Sequence, residues 1–388
     1  MRSISAIAAA VAMIMSMAVS TPGLTQAGPA SPPDHSALLE EITFLDIRAP
    51  GGNYRLEALI VRLAAANGRL PVALLTHGKP RLPSELMNMR APLMAPQARD
   101  LAYRGYLAVA VVRRGYGVSG GTTGQPTNAA YAKCNDADLR RYFSVEADDL
   151  ERALRVVAGR ADADASQVIA IGGSVGGGAA LALAARNTPG LKAVVNLAGA
   201  MRITDAQGQL ACPQDMPIAA LASFGSQTKT PTLWVYSEND GNFGPDAARK
   251  VHAAYVAQGG VATLKIAPSL QPADGHNIFE LPAGRQHWLA ALDPFLRAQN
   301  LPTWSAQQLD ALMRKYNMPA TRRPWLEGYF SLYTPKVLVR APNGVPSYSA
   351  STGGLEPAQR SALESCEKAA KMACNPAMKN FDIVATPN

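Results

Sequence analysis

Gly172-Gly173-Ser174-Val175-Gly176 sets a serine at G-x-S-x-G spacing. The β-branched run Val168-Ile169-Ala170-Ile171 precedes it, and a small-residue stretch from Ala179 to Asn187 follows. Strand, sharp turn and helix in that order form a nucleophile elbow. The serine then stands at the tip in a strained conformation, with its Oγ exposed. Gly172 and Gly176 flank it because a Cβ at either position would meet neighbouring backbone. The stretch lacks the Gly-Lys-Ser/Thr of a Walker loop and the G-x-G-x-x-G of a dinucleotide loop.

A serine hydroxyl is a poor nucleophile at neutral pH. It needs a base, usually His, oriented by a carboxylate. The chain has five His, so elimination is practical. His35 falls in a Pro- and Ser-rich lead, His252 and His287 fall inside helical patterns, and His77 directly follows a strand. His276 lies in Ala273-Asp274-Gly275-His276-Asn277, a loop after the last strand-like run of a series. It is the expected base. The acid belongs between serine and His, after the strand Leu233-Trp234-Val235-Tyr236. Asp240 has the best offset from that strand end, Glu238 is second and Asp274 third. A developing oxyanion needs two backbone N–H groups. Val175 supplies one from a helix N-terminus. The other is expected from the loop Thr76-His77-Gly78-Lys79-Pro80; Pro80 has no N–H, which leaves Lys79.

The elements that must carry these residues alternate. Strand-like runs are Ile42–Ile47, Tyr54–Val61, Pro71–Thr76, Leu107–Val112, Val168–Ile171, Ala193–Leu197, Thr232–Tyr236 and Ala262–Ile266. Helical patterns fall at Pro92–Arg104, Val145–Ala158, Val175–Asn187, Asp246–Gln258 and Gly284–Gln299. The first two strands have no helix between them and read as an antiparallel lead-in. The rest predict a mostly parallel, eight-stranded α/β sheet with helices on both faces. Two insertions, Gly117–Arg141 and Gly199–Thr230, emerge at the carboxyl edge of that sheet, where ligands bind. Tyr116 and Met201 are expected to contact substrate, with Tyr131 and Phe224 as further lining candidates.

Composition bounds the class. The chain has 388 residues, 48% of them hydrophobic and 17% charged, and a formal net charge of +8. That length suits one large domain and a small one. Lys and Arg are dispersed rather than interleaved with aromatics in a block, which argues against a nucleic-acid partner. Arg2 followed by the apolar stretch Ile4–Val19 reads as an export signal within residues 1–27, cleaved after Ser20 or Ala27. It is too short to span a bilayer, so no stable membrane anchor is expected after cleavage. The destination is then the periplasm or the exterior. Residues 28–39 form an expected disordered lead, 40–300 the α/β domain, and 301–388 a C-terminal extension holding a small ββαβ module. Four Cys in an oxidising compartment suggest two bridges, Cys134–Cys212 across the insertions and Cys366–Cys374 in the tail. No C-x-x-C occurs, and no metal site is expected.

His77-Gly78, Arg114-Gly115-Tyr116-Gly117, Gly172-Gly173-Ser174-Val175-Gly176, Glu238-Asn239-Asp240 and Asp274-Gly275-His276, in that order, resemble the α/β-hydrolase superfamily. The resemblance covers roughly residues 40 to 300 and is greatest to dienelactone-hydrolase-like proteins, with some similarity to the X-Pro dipeptidyl-peptidase group. It implies the α/β-hydrolase fold, a Ser-Asp-His triad and hydrolysis of small esters or peptides without a cofactor. Dienelactone hydrolases usually carry a Cys nucleophile where this chain has Ser174. Arg113 stands where the family pattern often has Asp. The expected activity is ester cleavage through an acyl-enzyme. The alternatives are a serine peptidase with the same triad and a catalytically silent binding protein.

Overall fold

The apolar runs pair into one sheet. The computed structural model describes residues 37–49, 51–80, 82–123, 136–200 and 216–384. The expected signal peptide, lead residues 28–36, Tyr131, Met201 and the Cys134–Cys212 bridge lie outside the described residues. The strands are β1 (Leu38–Ile47), β2 (Tyr54–Leu63), β3 (Leu70–Thr76), β4 (Leu107–Val111), β5 (Ala163–Gly173), β6 (Leu191–Leu197), β7 (Thr232–Ser237) and β8 (Ala262–Ala267). Their order across the sheet is β1-β2-β4-β3-β5-β6-β7-β8. β2 runs antiparallel to both β1 and β4; every later pairing is parallel. β1 begins at Leu38, so the last two residues assigned to the lead are already paired with Leu63 and Arg62.

Burial explains the parallel part. All five residues of β4 are buried, as is β5 from Val168 onward. Both strands are Val-, Ile- and Ala-rich, as fits a strand covered on two faces. The helices packed with the sheet are α1 (Ala95–Ala102), α2 (Asp136–Val157), α3 (Val175–Ala185), α4 (Met216–Gly225), α5 (Pro245–Ala257) and α6 (Pro282–Ala298). α3 is Gly, Ala, Leu and Val throughout and is buried on nearly every side. α4 forms inside the insertion read as loop from the sequence, and buries Ala220, Leu221 and Phe224.

Register decides what meets at the carboxyl edge. β3 lies between β4 and β5, with Thr76 level with both Val111 and Gly172. The loops after these three strands therefore emerge side by side. They carry His77-Gly78-Lys79, Arg113 and Ser174.

The C-terminal extension adds α7 (Ala306–Lys315), α8 (Arg323–Ser331), β9 (Lys336–Arg340), β10 (Pro346–Ala350), α9 (Leu355–Ala370), β11 (Asn375–Lys379) and β12 (Asp382–Ile383). Its sheet runs β10-β9-β11-β12. β9 alternates as a two-sided strand must. Val337 and Val339 pack with Ala358, Ala362 and Cys366 of α9, while Leu338 packs with Leu309, Leu326 and Phe330 of α7 and α8. Cys366 is bonded to Cys374, tying α9 to the turn after it. The module is ββαββ rather than the expected ββαβ; the added strand, β11, contains Pro376. Proline fits there because the register with β9 shifts between Pro376 and Met378. α8 carries Pro324 in its first turn, where no N–H is required.

Candidate active site

Ser174 sits at φ 50°, ψ −123°, a region that non-glycine residues rarely occupy. Its N–H donates to Leu197 O at 2.8 Å, which holds the turn against β6. A Cβ on Gly172 would fall 2.1 Å from Gly176 O, and one on Gly176 would fall 2.5 Å from His77 O. The elbow therefore closes only with glycine at both places. Val175 opens α3, so its N–H is one of those a helix leaves without an internal acceptor.

His276 follows β8 in a 3-10 turn, Gly275–Ile278. Its Nε2 accepts the Ser174 hydroxyl at 2.9 Å. On the other edge, Nδ1 lies 3.1 and 3.2 Å from the two oxygens of Asp240. Those contacts set the proton on Nδ1 and leave Nε2 as acceptor. The Asp240 side chain is fully buried, and its Oδ1 also accepts the N–H groups of Asn242 and Phe243 at 2.8 Å. Glu238, on the same loop, is exposed. Asp274 faces backbone instead: its Oδ1 accepts from His276 N and Gly241 N, both at 2.9 Å. Asn239 braces the two loops, donating to Ala273 O and accepting from Leu270 N, each at 2.8 Å.

The His77-Gly78-Lys79 loop presses against the serine. A Cβ on Gly78 would lie 3.1 Å from Ser174 Cβ and 3.8 Å from its Oγ. Burial lowers the Lys79 ammonium below its usual range, opposed by the nearby Glu146 charge. Tyr116, expected to touch substrate, is instead fully buried, with its ring 4.7 Å from that of His77 and under the Arg113 guanidinium. It backs the loop from below. Phe224 is core, edge-on to Phe143. Met201 lies outside the described residues. Among the described residues no cluster of His, Cys, Asp or Glu is arranged to hold a metal ion.

A serine held against a neutral imidazole, with a buried carboxylate behind it, can attack a carbonyl carbon and hand its proton to nitrogen. A family model for X-Pro dipeptidyl-peptidase (S15 family) matches residues 51–229, somewhat less than half of the chain. Over that stretch the chain is similar to this family, and its sheet order and serine turn are those of the α/β-hydrolase fold. It resembles the acylaminoacyl peptidase of Pyrococcus horikoshii at 16% identity and a TM-score of 0.49, over 69% of this chain and 42% of that one. The chain thus spans less than half of that peptidase's length. A candidate dienelactone hydrolase from Klebsiella pneumoniae is 19% identical, with a TM-score of 0.45 over 66% of this chain and 97% of that one. An acetyl xylan esterase from Paenibacillus sp. R4 is 18% identical, with a TM-score of 0.44 over 68% and 89% of the two chains. No curated protein sequence matches significantly.

Below the site lies a buried ion pair that the motifs do not point to, Arg113 with Glu146, both essentially inaccessible to solvent. A signal was present. Glu146 interrupts the apolar stripe Leu139, Phe143, Ala147 and Leu150 of α2, at helical spacing. Arg113 follows the wholly apolar β4 by two residues. Two opposite charges in apolar runs are expected to find each other.

Proposed function

We propose that this protein is an exported serine hydrolase that cleaves carboxylic esters through an acyl-enzyme. Ser174 is the nucleophile, His276 the general base and Asp240 its orienting carboxylate. The N–H groups of Val175 and Lys79 form the oxyanion hole. The observation that carries the reading is the 2.9 Å contact between Ser174 Oγ and His276 Nε2, with Asp240 on the opposite edge of the ring. Ser174 Oγ adds to the ester carbonyl while its proton moves to Nε2, and the oxygen becomes an oxyanion facing the two N–H groups. As the intermediate collapses, Nε2–H gives its proton to the departing alcohol oxygen. Water then repeats the sequence on the acyl-enzyme, releasing the acid and restoring Ser174. An ester asks nothing further of the site. A peptidase must also hold the chain on either side of the scissile bond.

Peptide cleavage is the second reading, favoured by the X-Pro dipeptidyl-peptidase family match. Export is supported by the Cys366–Cys374 bridge, since such bonds persist in oxidising compartments. Among the described residues no helix is long and apolar enough to cross a membrane.

The test is fluorophosphonate labelling of the wild type and Ser174→Ala, followed by 4-nitrophenyl acyl esters and X-Pro 4-nitroanilides as substrates. Labelling lost in Ser174→Ala, with ester turnover reduced about 10³-fold or more, is expected. Labelling that persists on another serine overturns the assignment. Turnover of the anilides but not the esters would establish the peptidase reading. Mass spectrometry of the secreted protein's N-terminus tests export: an intact Met1 in the cytosolic fraction refutes it.

A further inference from the structure

Gly78 O is held from two sides. His77 Nδ1 donates to it at 2.6 Å, and Arg113 Nη2 approaches it at 3.5 Å. The imidazole is itself fixed, because its Nε2 accepts the Arg113 backbone N–H at 3.1 Å. That contact requires the proton on Nδ1, so the ring donates to Gly78 O and nowhere else. The Arg113 guanidinium also donates through Nη1 to Thr76 Oγ1 and His77 O, both at 2.5 Å, and through Nε to Glu146. Every carbonyl from His77 to Gly78 is thus drawn toward one buried charge. In a trans peptide the N–H points opposite to the preceding C=O. The Gly78–Lys79 peptide is trans, so fixing Gly78 O on the Arg113 side turns Lys79 N–H away from it. This peptide lies beside the serine, because a Cβ on Gly78 would meet Ser174 Cβ at 3.1 Å.

We propose that the buried Arg113–Glu146 pair is a positioning device for the oxyanion hole, aiming the Lys79 N–H through Thr76, His77 and Gly78. Glu146 holds the guanidinium from below, while Thr76 and His77 fix its height at the strand end. Tyr116 closes the remaining side, edge-on to His77 and with its ring face under the Arg113 guanidinium. The proposal rests on Ser174 being the nucleophile. It adds that this buried charge, which contacts no substrate, sets the geometry of transition-state binding. Burial pushes His77 well below the usual imidazole range, with the Arg113 charge acting the same way, so the ring stays neutral and keeps the tautomer that the chain of contacts needs.

The experiment compares an alkyl trifluoromethyl ketone with a 4-nitrophenyl ester on full-length protein. The ketone forms a hemiketal on serine whose oxyanion needs the hole, whereas KM for the ester reflects mainly binding of the neutral substrate. In Arg113→Gln, kcat should fall and the ketone Ki should rise by the same factor, about 10- to 100-fold, with KM moving less than about threefold. Thr76→Val removes one Arg113 acceptor at nearly constant volume and should move kcat and Ki together, by a smaller factor. It also carries the test if Arg113→Gln does not fold. Arg104→Gln breaks a different buried pair, Arg104–Asp293, remote from the loop, and should lower Tm while leaving Ki unchanged. Unchanged Ki in Thr76→Val and in any folded Arg113 variant overturns the proposal, as does an equal rise in Arg104→Gln. Ketone affinity that survives Ser174→Ala would overturn the nucleophile assignment itself, a separate result.

Discussion

Asp240 meets the Nδ1 edge of His276 at 3.1 Å across 36 residues of sequence, while Asp274, two residues from that His, turns its carboxylate to backbone. Nearness in sequence is therefore a poor guide to which acid acts on the ring. Asp240 is buried and carries its charge against the imidazole and two N–H groups. Asp274 holds the shape of the His276 loop by bridging it to Gly241.

Three substitutions separate these roles. Asp240→Asn should cut kcat by about 10³- to 10⁴-fold with the fold intact, because the amide favours the wrong imidazole tautomer. Asp274→Asn should weaken the loop and cost activity only modestly. Glu238→Gln, at an exposed position, should change little. Ester kinetics with circular dichroism as a folding control decide it, and a larger loss in Glu238→Gln than in Asp240→Asn would move the acid to Glu238.

How much of this was legible in the sequence depends on the kind of contact. The elbow was legible because it is local: a β-branched run, two obligatory glycines and a serine lie within a dozen residues. The order of strands gives each loop its edge, so position alone singles out Ser174, Asp240 and His276 as the candidate triad. The Arg113–Glu146 pair was not picked. Its partners are 33 residues apart and join only when α2 packs over β3, the strand paired with β4. Tyr116 was misjudged for a related reason: an aromatic after a strand can point to the pocket or beneath it, and only packing against His77 decides. α8 and β11 are not legible in the same way, since proline argues against an interior position, whereas here it occupies a first turn and a register shift.

The neutral His77 makes stability depend on pH. Burial and the Arg113 charge depress its pKa in the fold, whereas in the unfolded chain an imidazole titrates near ~6.5. Below that pH the unfolded chain binds a proton that the folded chain refuses. The His77 contribution is therefore complete above about pH 6.5 and is lost as pH falls, by up to ~1.4 kcal/mol per unit. Glu146, raised by burial against the pull of Arg113, acts with the opposite sign. Comparing variants isolates the imidazole. Chemical denaturation at intervals from pH 7.5 to 5 should show a shallower acid-side loss in His77→Gln than in wild type. Parallel curves would show that His77 takes up its proton without unfolding.

The Cys366–Cys374 bridge closes a short loop, with a sequence separation of 8. By loop-closure entropy it should contribute about 2–3 kcal/mol to the module that contains it. Neither sulfur lies on an element that carries a site residue. Replacing both with Ser should lower the denaturation midpoint and leave kcat on a 4-nitrophenyl ester within about twofold. A large fall in kcat at a temperature where the variant is folded would tie the module to the active site.

The extension is fastened to the hydrolase domain by polar groups rather than by apolar area alone. Asp100 of α1 is fully buried and paired with Arg285 of α6. Its Oδ1 accepts both the backbone N–H and the hydroxyl of Thr334, at 2.8 and 2.9 Å, and Arg285 in turn donates to Thr334 O. Nearby, Thr303 donates to Asp293, and Tyr106 donates to Pro302 O. A chain ending at Asn300 keeps the Asp100–Arg285 pair but loses every contact to Pro302, Thr303 and Thr334 at once, and leaves a buried carboxylate short of donors. Such a carboxylate is costly, so the truncated chain should be far less stable than loss of a separate domain would suggest. Thr334→Val tests the fastening within the full chain. It removes one donor to a buried charge and should cost about 1–3 kcal/mol without changing kcat. If Thr334→Val is neutral and the chain ending at Asn300 melts like the wild type, the two parts are independent. If the truncated chain is less stable but its folded fraction, counted by fluorophosphonate titration, turns over ester at the wild-type rate, the extension supports the domain without entering its chemistry. That last result is the one expected, because Ser174, Asp240 and His276 all precede residue 300.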